Sequence, residues 1–166
     1  MPARPELDAE QILRRLTARG VDFVVIGGLA AVLWGSPRMT FDLDISFALD
    51  DGNLDALGDV LIELMATLKG IDEPVPFVPD PRTLRRVELL TLNTSAGELD
   101  LLAHPPGTPG YETLRKNAAR VDVGDFHVLI ASVEDLILMK RAAARAKDLA
   151  DIEELEAIRR LGGGRP

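Results

Sequence analysis

The order of elements between residues 21 and 47 limits the possible folds of this chain more than any other feature of its sequence. Residues 21–26 are mostly β-branched or aromatic, without polar alternation after Asp22, which predicts a strand buried on both faces. Gly27 and Gly28 end this strand, and residues 29–34 are predicted to form a short helix.

The next strand, predicted over residues 40–47, has two chemically different faces. Successive side chains of a strand point to opposite sides, so one face is apolar and the other carries carboxylates. The apolar face consists of Phe41, Leu43, Ile45 and Phe47, and the polar face of Thr40, Asp42, Asp44 and Ser46.

Several further elements follow from apolar spacing and from capping residues. Asp8 caps a first helix that Gly20 ends, and Ser132 caps a later one. Four prolines between residues 69 and 81 predict a loop. Helices are also expected at residues 53–68 and 111–119, strands at 87–93, 98–103 and 126–130, a hairpin turn at 94–97, and a last helix through Leu149, Ile152, Leu155 and Ile158, followed by a frayed tail at 162–166.

Length and composition place the chain among globular proteins. Its 166 residues predict a single domain, residues 1–166, with a core at about residues 20–131 and C-terminal helices at about 132–161. Hydrophobic residues make up 46% and charged residues 28%, which excludes the disordered class. The formal net charge of −8 argues against a protein that coats nucleic acid non-specifically.

The same composition bears on the location of the protein. The uncharged apolar run at residues 23–34 is shorter than the roughly 20 residues that cross a bilayer, so no membrane partner is expected. The first residues lack the apolar stretch of a secretion signal, and there is no cysteine for disulfides or thiolate zinc sites. We therefore expect a cytoplasmic location.

The carboxylates of the 40–47 strand predict a metal site. On an extended strand, residues i and i+2 lie about 6.5 to 7 Å apart on the same side, so Asp42 and Asp44 can converge on one or two divalent ions. Magnesium prefers such oxygen ligands and keeps positions open for substrate phosphates. Asp100, which Leu99 and Leu101 flank on another predicted strand, is the candidate third ligand and general base toward an acceptor hydroxyl.

Other polar residues allow two interpretations each. Gly27 and Gly28 leave backbone N–H groups at a helix N-terminus, where a triphosphate can bind, although a glycine pair is also common in simple turns. Arg38 and Thr40 can both contact phosphate or substrate. Alternatively, Arg38 forms a salt bridge within a loop and Thr40 is an ordinary hydroxyl of the strand. Lys140 can approach nucleotide phosphates or remain an exposed helix lysine. Asp148 and Asp151 share a helix face and can pair with Arg145 or Lys147.

Taken in order, these motifs resemble the nucleotidyltransferase superfamily of the DNA polymerase β type. The resemblance rests on Gly27 and Gly28, on the run from Arg38 through Thr40 and Asp42 to Ile45, and on Glu98 to Asp100. It extends over about residues 20–160, and the C-terminal residues from Asp135 to Asp151 resemble the closing helices of the small bacterial branch that includes the type IV toxin-antitoxin nucleotidyltransferase toxins.

The resemblance implies an α/β (α+β) fold, with a mixed β-sheet flanked by helices and with C-terminal helices. It also implies a magnesium-dependent reaction, with two ions expected. The reaction transfers a nucleoside monophosphate from an NTP to a hydroxyl of a tRNA, a protein or a small molecule. The superfamily's three acids correspond to Asp42, Asp44 and Asp100, and its phosphate turn to Gly27 and Gly28. Many members have serine in place of Gly28, so backbone donors must replace that hydroxyl.

Two other functions remain open at the level of the sequence. A non-catalytic member of the same fold would bind a nucleotide or a partner protein, for example as the partner half of a toxin-antitoxin pair. A metal-dependent phosphohydrolase also uses clustered acids, and would release phosphate without modifying an acceptor. An antitoxin partner is expected if the chain is itself the toxin.

Overall fold

A computed structural model describes residues 5–71, 78–143 and 145–162. Its centre is one seven-stranded sheet with the strand order β3-β4-β5-β2-β1-β7-β6. The strands are β1 (Phe23–Ile26), β2 (Asp42–Phe47), β3 (Thr67–Leu68), β4 (Leu90–Thr94), β5 (Gly97–Leu101), β6 (Ala119–Val123) and β7 (Phe126–Ile130).

Helices alternate with these strands along the chain. Asp8 caps the first helix by accepting a hydrogen bond from the backbone N–H of Gln11, as expected from the sequence. Ser132 does the same for Asp135. The helices are α1 (Ala9–Ala18), α2 (Gly27–Leu33), α3 (Asp51–Glu63), α4 (Pro81–Arg86), α5 (Tyr111–Asn117), α6 (Val133–Ala143) and α7 (Ala146–Arg160).

The sheet is mixed, which confirms the predicted fold class. β2 pairs with β5 and β1 pairs with β7 in parallel, whereas the other neighbouring strands are antiparallel. The strand β1 is buried at all four residues, as its unbroken apolar sequence predicts. The apolar face of β2, at Leu43 and Ile45, lies in the main core.

The helix predicted over residues 53–68 is wrong at its C-terminal end. The helix α3 ends at Glu63, and Met65 has a positive φ of 51°, which breaks the helical path. Leu68 lies in β3, where it pairs with Leu92 of β4. Apolar residues at helical spacing thus continued past the helix because the following strand also contributes an apolar residue.

Besides β3, two elements were missed by the sequence patterns. Pro81 opens α4 at its first turn, where the missing N–H costs nothing, and Asp80 caps it. The strand β6 pairs with β7 in antiparallel register, so the predicted helix at residues 111–119 stops at Asn117. The strand was missed because its residues were divided between that helix and a connecting loop.

One predicted apolar contact is also wrong. Phe41 precedes the first residue of β2 and is 73% exposed, so the apolar face of the strand begins at Leu43. The last helix runs through Leu149 and Leu155 as predicted, although Leu149 is 64% exposed and only Leu155 is buried. The other predicted elements differ from the observed ones by a few residues at their ends. Residues 72–77, within the segment predicted as a loop, and residues 163–166, within the predicted tail, lie outside the described residues.

Candidate active site

Three carboxylates from two neighbouring strands meet at one point of the sheet. Asp42 and Asp44 lie two residues apart on β2, and the parallel register of β5 places Asp100 directly beside Asp44. One oxygen from each of the three side chains lies within 4.8 Å of the others. The sequence placed Asp42 and Asp44 on one strand face, and the pairing of β2 with β5 brings in the third carboxylate.

Position 27 requires a glycine because it lies in close contact with this cluster. The antiparallel pairing of β1 with β2 places Ile26 opposite Asp44, so the chain turns into α2 right beside the carboxylate. Gly27 has a φ of +67°, and a Cβ built on it would lie 1.9 Å from Oδ2 of Asp44. Only glycine fits this position, for reasons of both backbone conformation and space.

The electrostatics of the cluster favour the binding of positive charge. Burial is the largest cause that raises the pKa of Asp44, to about 8, and the charges of Asp42 and Asp100 add to it. Lys140 acts in the opposite direction, since its positive charge stabilises the ionised carboxylate. Burial also raises the pKa of Asp100. A divalent cation would relieve the repulsion among the three groups.

One oxygen of the cluster lacks a hydrogen-bond donor. Oδ1 of Asp100 is buried and makes no hydrogen bond to any residue that the structure describes. A buried carboxylate oxygen without a donor is costly, and a metal ion satisfies it as well as a donor does. The donor set of three carboxylates therefore fits magnesium, which prefers oxygen ligands.

Thr40 and Gly28 lie next to each other at the edge of the cluster. The hydroxyl of Thr40 donates to the backbone oxygen of Asp42 at 3.0 Å. A Cβ built on Gly28 would lie 3.0 Å from the same hydroxyl, so α2 and the segment before β2 approach each other closely here. Thr40 has a structural role in this contact, and its predicted contact with nucleotide stays a prediction.

Arg38 and Lys140 both form ion pairs with the last helix. Nη1 of Arg38 lies 2.8 Å from Oδ1 of Asp151, and Nζ of Lys140 donates to Oδ2 of the same carboxylate at 2.9 Å. Nε of Arg38 also donates to Glu154 at 3.0 Å. Both basic side chains predicted to bind nucleotide are thus held by a common acid of α7.

A second acid of α7 completes this ion-pair network. Asp148 is fully buried, lies 3.5 Å from Nζ of Lys140, and accepts hydrogen bonds from the backbone and Nε of Arg145. Burial opposes its ionisation, but the bonds from Arg145 outweigh this effect and lower the pKa of Asp148. The predicted pairing of Asp148 with Arg145 is confirmed, whereas the side chain of Lys147 lies outside the described residues.

Glu154 and Ser36 were missed by the sequence patterns. Ser36 is buried and its hydroxyl donates to Glu154 at 3.1 Å. For Glu154 the sequence did contain a signal. Asp148, Asp151 and Glu154 are spaced three residues apart, which places all three acids on one face of a helix.

Comparisons with known proteins bear directly on this site. Residues 6–162 match the model of a family described as nucleotidyltransferase of unknown function, DUF6036. The chain belongs to this nucleotidyltransferase family. The prediction of a nucleotidyltransferase from the glycine pair and the three acids is therefore confirmed at the level of the family. None of the curated proteins matches the chain significantly.

Solved structures show that the nucleotidyltransferase fold is shared with distant proteins. The lincosamide antibiotic adenylyltransferase LnuA, solved with lincomycin bound, has 17% identity and a TM-score of 0.61, covering 92% of this chain and 99% of its own. ANT(2")-Ia in complex with adenylyl-2"-tobramycin has 15% identity and a TM-score of 0.58, covering 92% and 87%. A putative nucleotidyltransferase from Thermotoga maritima has 18% identity and a TM-score of 0.52, covering 95% of each chain.

Within the described parts of the chain, no helix combines the length and the apolar character that are needed to cross a bilayer.

Proposed function

We propose that residues 1–166 form one nucleotidyltransferase domain that moves a nucleoside monophosphate from an NTP to a hydroxyl acceptor with the help of magnesium. The observation that carries this proposal is the convergence of Asp42, Asp44 and Asp100 on one point, next to a glycine turn that approaches Asp44. The family of the chain sets the reaction class, and the site supplies the residues for it.

Asp42, Asp44 and Asp100 would hold the metal, and two ions fit the arrangement of two acids on one strand and a third on its neighbour. When bound, magnesium neutralises phosphate charge and lowers the pKa of a coordinated oxygen. The carboxylates themselves fix the position of the reacting groups. Asp100 takes the proton of the acceptor hydroxyl, whose oxygen bonds to the α-phosphorus of the NTP while pyrophosphate leaves.

The triphosphate would lie between the glycine turn and the basic side chains. Gly27 and Gly28 offer backbone N–H groups without a side chain that would block the approach of an anion. Arg38 and Lys140 bring positive charge to the other side of the phosphates. In this arrangement Thr40 sets the spacing between α2 and the start of β2.

The acceptor would approach from the polar face of β4 and β5. Thr91 pairs with Asp100 across these strands and Asn93 pairs with Glu98, and all four side chains are partly exposed. We propose a small polyhydroxylated molecule as acceptor, since LnuA has lincomycin bound and ANT(2")-Ia binds an adenylylated tobramycin. The net charge of −8 also disfavours a polyanion such as tRNA.

A label-transfer assay tests the reaction. The protein is incubated with magnesium, each of the four α-labelled NTPs and three kinds of acceptor: lincomycin and tobramycin, total bacterial tRNA, and a protein fraction. We expect label on a small molecule, and loss of transfer in Asp42→Asn and Asp44→Asn. Asp55→Asn, which removes an exposed carboxylate from α3, serves as the matched control and should keep full activity.

Each outcome of the assay is informative. Unaltered transfer in both aspartate variants would overturn the metal assignment. Triphosphate binding by calorimetry without any product would instead support a non-catalytic binding member of the fold. Release of phosphate or pyrophosphate without a modified acceptor would indicate a phosphohydrolase.

A toxin-antitoxin role rests on the resemblance of Asp135 to Asp151 to the toxin branch. If the chain is a toxin in the cytoplasm, its expression in a bacterial host should arrest growth, and Asp44→Asn should abolish the arrest. Co-expression of a neighbouring gene product should relieve it if that product is the antitoxin. Normal growth with active wild-type protein would exclude this role.

A further inference from the structure

We propose that Asp151 is a positioning residue for the nucleotide site, in that its carboxylate holds Arg38 and Lys140 together in the orientation that binds the triphosphate. This inference rests on the proposed function, because it assigns a role to a residue outside the three metal-binding acids.

The geometry shows a single carboxylate shared between two basic side chains from different parts of the chain. Oδ1 of Asp151 lies 2.8 Å from Nη1 of Arg38, which precedes β2, and Oδ2 accepts from Nζ of Lys140, on α6, at 2.9 Å. Removal of this one carboxylate would therefore take an acidic partner from both cations at once and leave Arg38 only Glu154 and Lys140 only the more distant Asp148. No other acid among the described residues contacts these two side chains together.

Both basic side chains keep donors available for an anion. An arginine has five N–H donors and a lysine ammonium has three. Arg38 donates to Glu154 through Nε and forms an ion pair with Asp151 through Nη1, without a hydrogen bond, while its Nη2 makes no hydrogen bond to the residues described. Lys140 has two acidic neighbours, Asp151 and the more distant Asp148 at 3.5 Å. The ion pairs thus fix one side of each cation and leave further N–H groups for phosphate oxygens.

The environment makes the contact of Lys140 with Asp151 stronger than an ordinary surface ion pair, whereas the side chain of Arg38 is 45% exposed. The side chain of Asp151 is 16% exposed and that of Lys140 is 20% exposed. Charge-assisted hydrogen bonds gain strength where water is largely excluded. A lysine or arginine held in this way loses less conformational entropy when it binds an anion, so the carboxylate supports affinity without touching the ligand.

Binding of magnesium tripolyphosphate, measured by calorimetry, tests this role without knowledge of the base or the acceptor. Asp151→Asn keeps the shape of the side chain and removes its charge. It should lower the affinity about tenfold or more, which is the usual effect of removing a partner that orients a ligand-binding side chain. Asp151→Glu keeps the charge and should retain most of the affinity, whereas a merely shape-dependent role would be preserved better by asparagine.

Matched variants separate this effect from a general change of charge or fold. Glu153→Gln removes the same charge from an exposed position of α7 and should leave the affinity unchanged. In a protein that already carries Arg38→Gln and Lys140→Gln, Asp151→Asn should have little further effect, because it acts through those two side chains. Melting temperatures of all variants show whether each is folded.

Three results would overturn the inference. The first is equal or tighter binding by Asp151→Asn, which would mean that the carboxylate competes with phosphate for the cations. The second is a loss of affinity from Asp151→Asn that is as large in the protein carrying Arg38→Gln and Lys140→Gln as it is in the wild-type protein. The third is a wild-type protein that transfers label but whose Asp151→Asn variant has unchanged KM and kcat. Failure of the proposed function differs from these, since the wild-type protein itself would then not transfer label.

Discussion

The contact between Gly27 and Asp44 allows a sharp test of the site by substitution of a single methyl group. Gly27→Ala has two separate consequences. The backbone keeps a φ of +67°, which costs an L-residue about 1–2 kcal/mol of folding stability. The new Cβ would also lie 1.9 Å from Oδ2 of Asp44, whereas ordinary contact begins at 3.4 Å, so the carboxylate must move by about 1.5 Å.

Gly20 provides the matched control for the backbone effect. Its φ is +69°, almost the same as that of Gly27, but a Cβ there meets nothing within 4 Å. Gly20→Ala should therefore lose about the same 1–2 kcal/mol of stability in urea unfolding. The difference between the two variants then reports only the displacement of Asp44.

The expected result is a selective loss of activity. A misplacement of about 1 Å in a catalytic arrangement can lower the rate about 100-fold, so Gly27→Ala should lose about that much label transfer. It should also bind magnesium more weakly, as measured by calorimetry. Gly20→Ala should keep both properties at a temperature where it is folded. Equal activity of the two variants would refute the role that we assign to the glycine turn.

Three further predictions concern pH and stability. Because the pKa of Asp44 is raised from 3.8 to about 8 in the folded protein, the folded state binds the extra proton. The metal-free protein should therefore lose stability as the pH rises from about 4 to about 8, and Asp44→Asn should flatten this slope in urea unfolding at several pH values. Magnesium should raise the melting temperature more at pH 8 than at pH 5, since it binds the ionised form. Asn53 makes three hydrogen bonds to the backbone of Asp22 and Ala48, so Asn53→Ala should cost about 2–3 kcal/mol in urea unfolding without changing magnesium affinity.

Opposite results would identify which step of the reasoning fails. A pH slope that persists in Asp44→Asn would assign the proton to another group. A magnesium effect that does not depend on pH would argue against Asp44 as a ligand. A change in magnesium affinity in Asn53→Ala would show that this asparagine, which anchors α3 to the strands, also bears on the site.

Local patterns predicted most of the elements in this fold. A capping aspartate marks α1, an unbroken apolar run marks β1, and the alternation of polar and apolar residues marks β2. The patterns failed where two consecutive elements have similar residues, because the sequence then does not show where one element ends and the next begins. Residues of β3 continued the apolar spacing of α3, and β6 begins only two residues after α5 ends. In both cases hydrogen bonding to a neighbouring strand determines the structure: β3 pairs with β4, about 25 residues further along the chain, and β6 pairs with β7, the next strand.

The sequence by itself determined the reaction class, because the order of the glycine pair and the acids carried the resemblance that the family match confirms. Only the tertiary structure decided how close these groups lie. The register of β2 against β5 sets Asp100 beside Asp44, and the turn after β1 brings Gly27 against that carboxylate. The packing of α7 against α6 likewise gives Lys140 its partners. Distances of this kind depend on strand pairing and helix packing between distant segments, so local sequence patterns do not predict them.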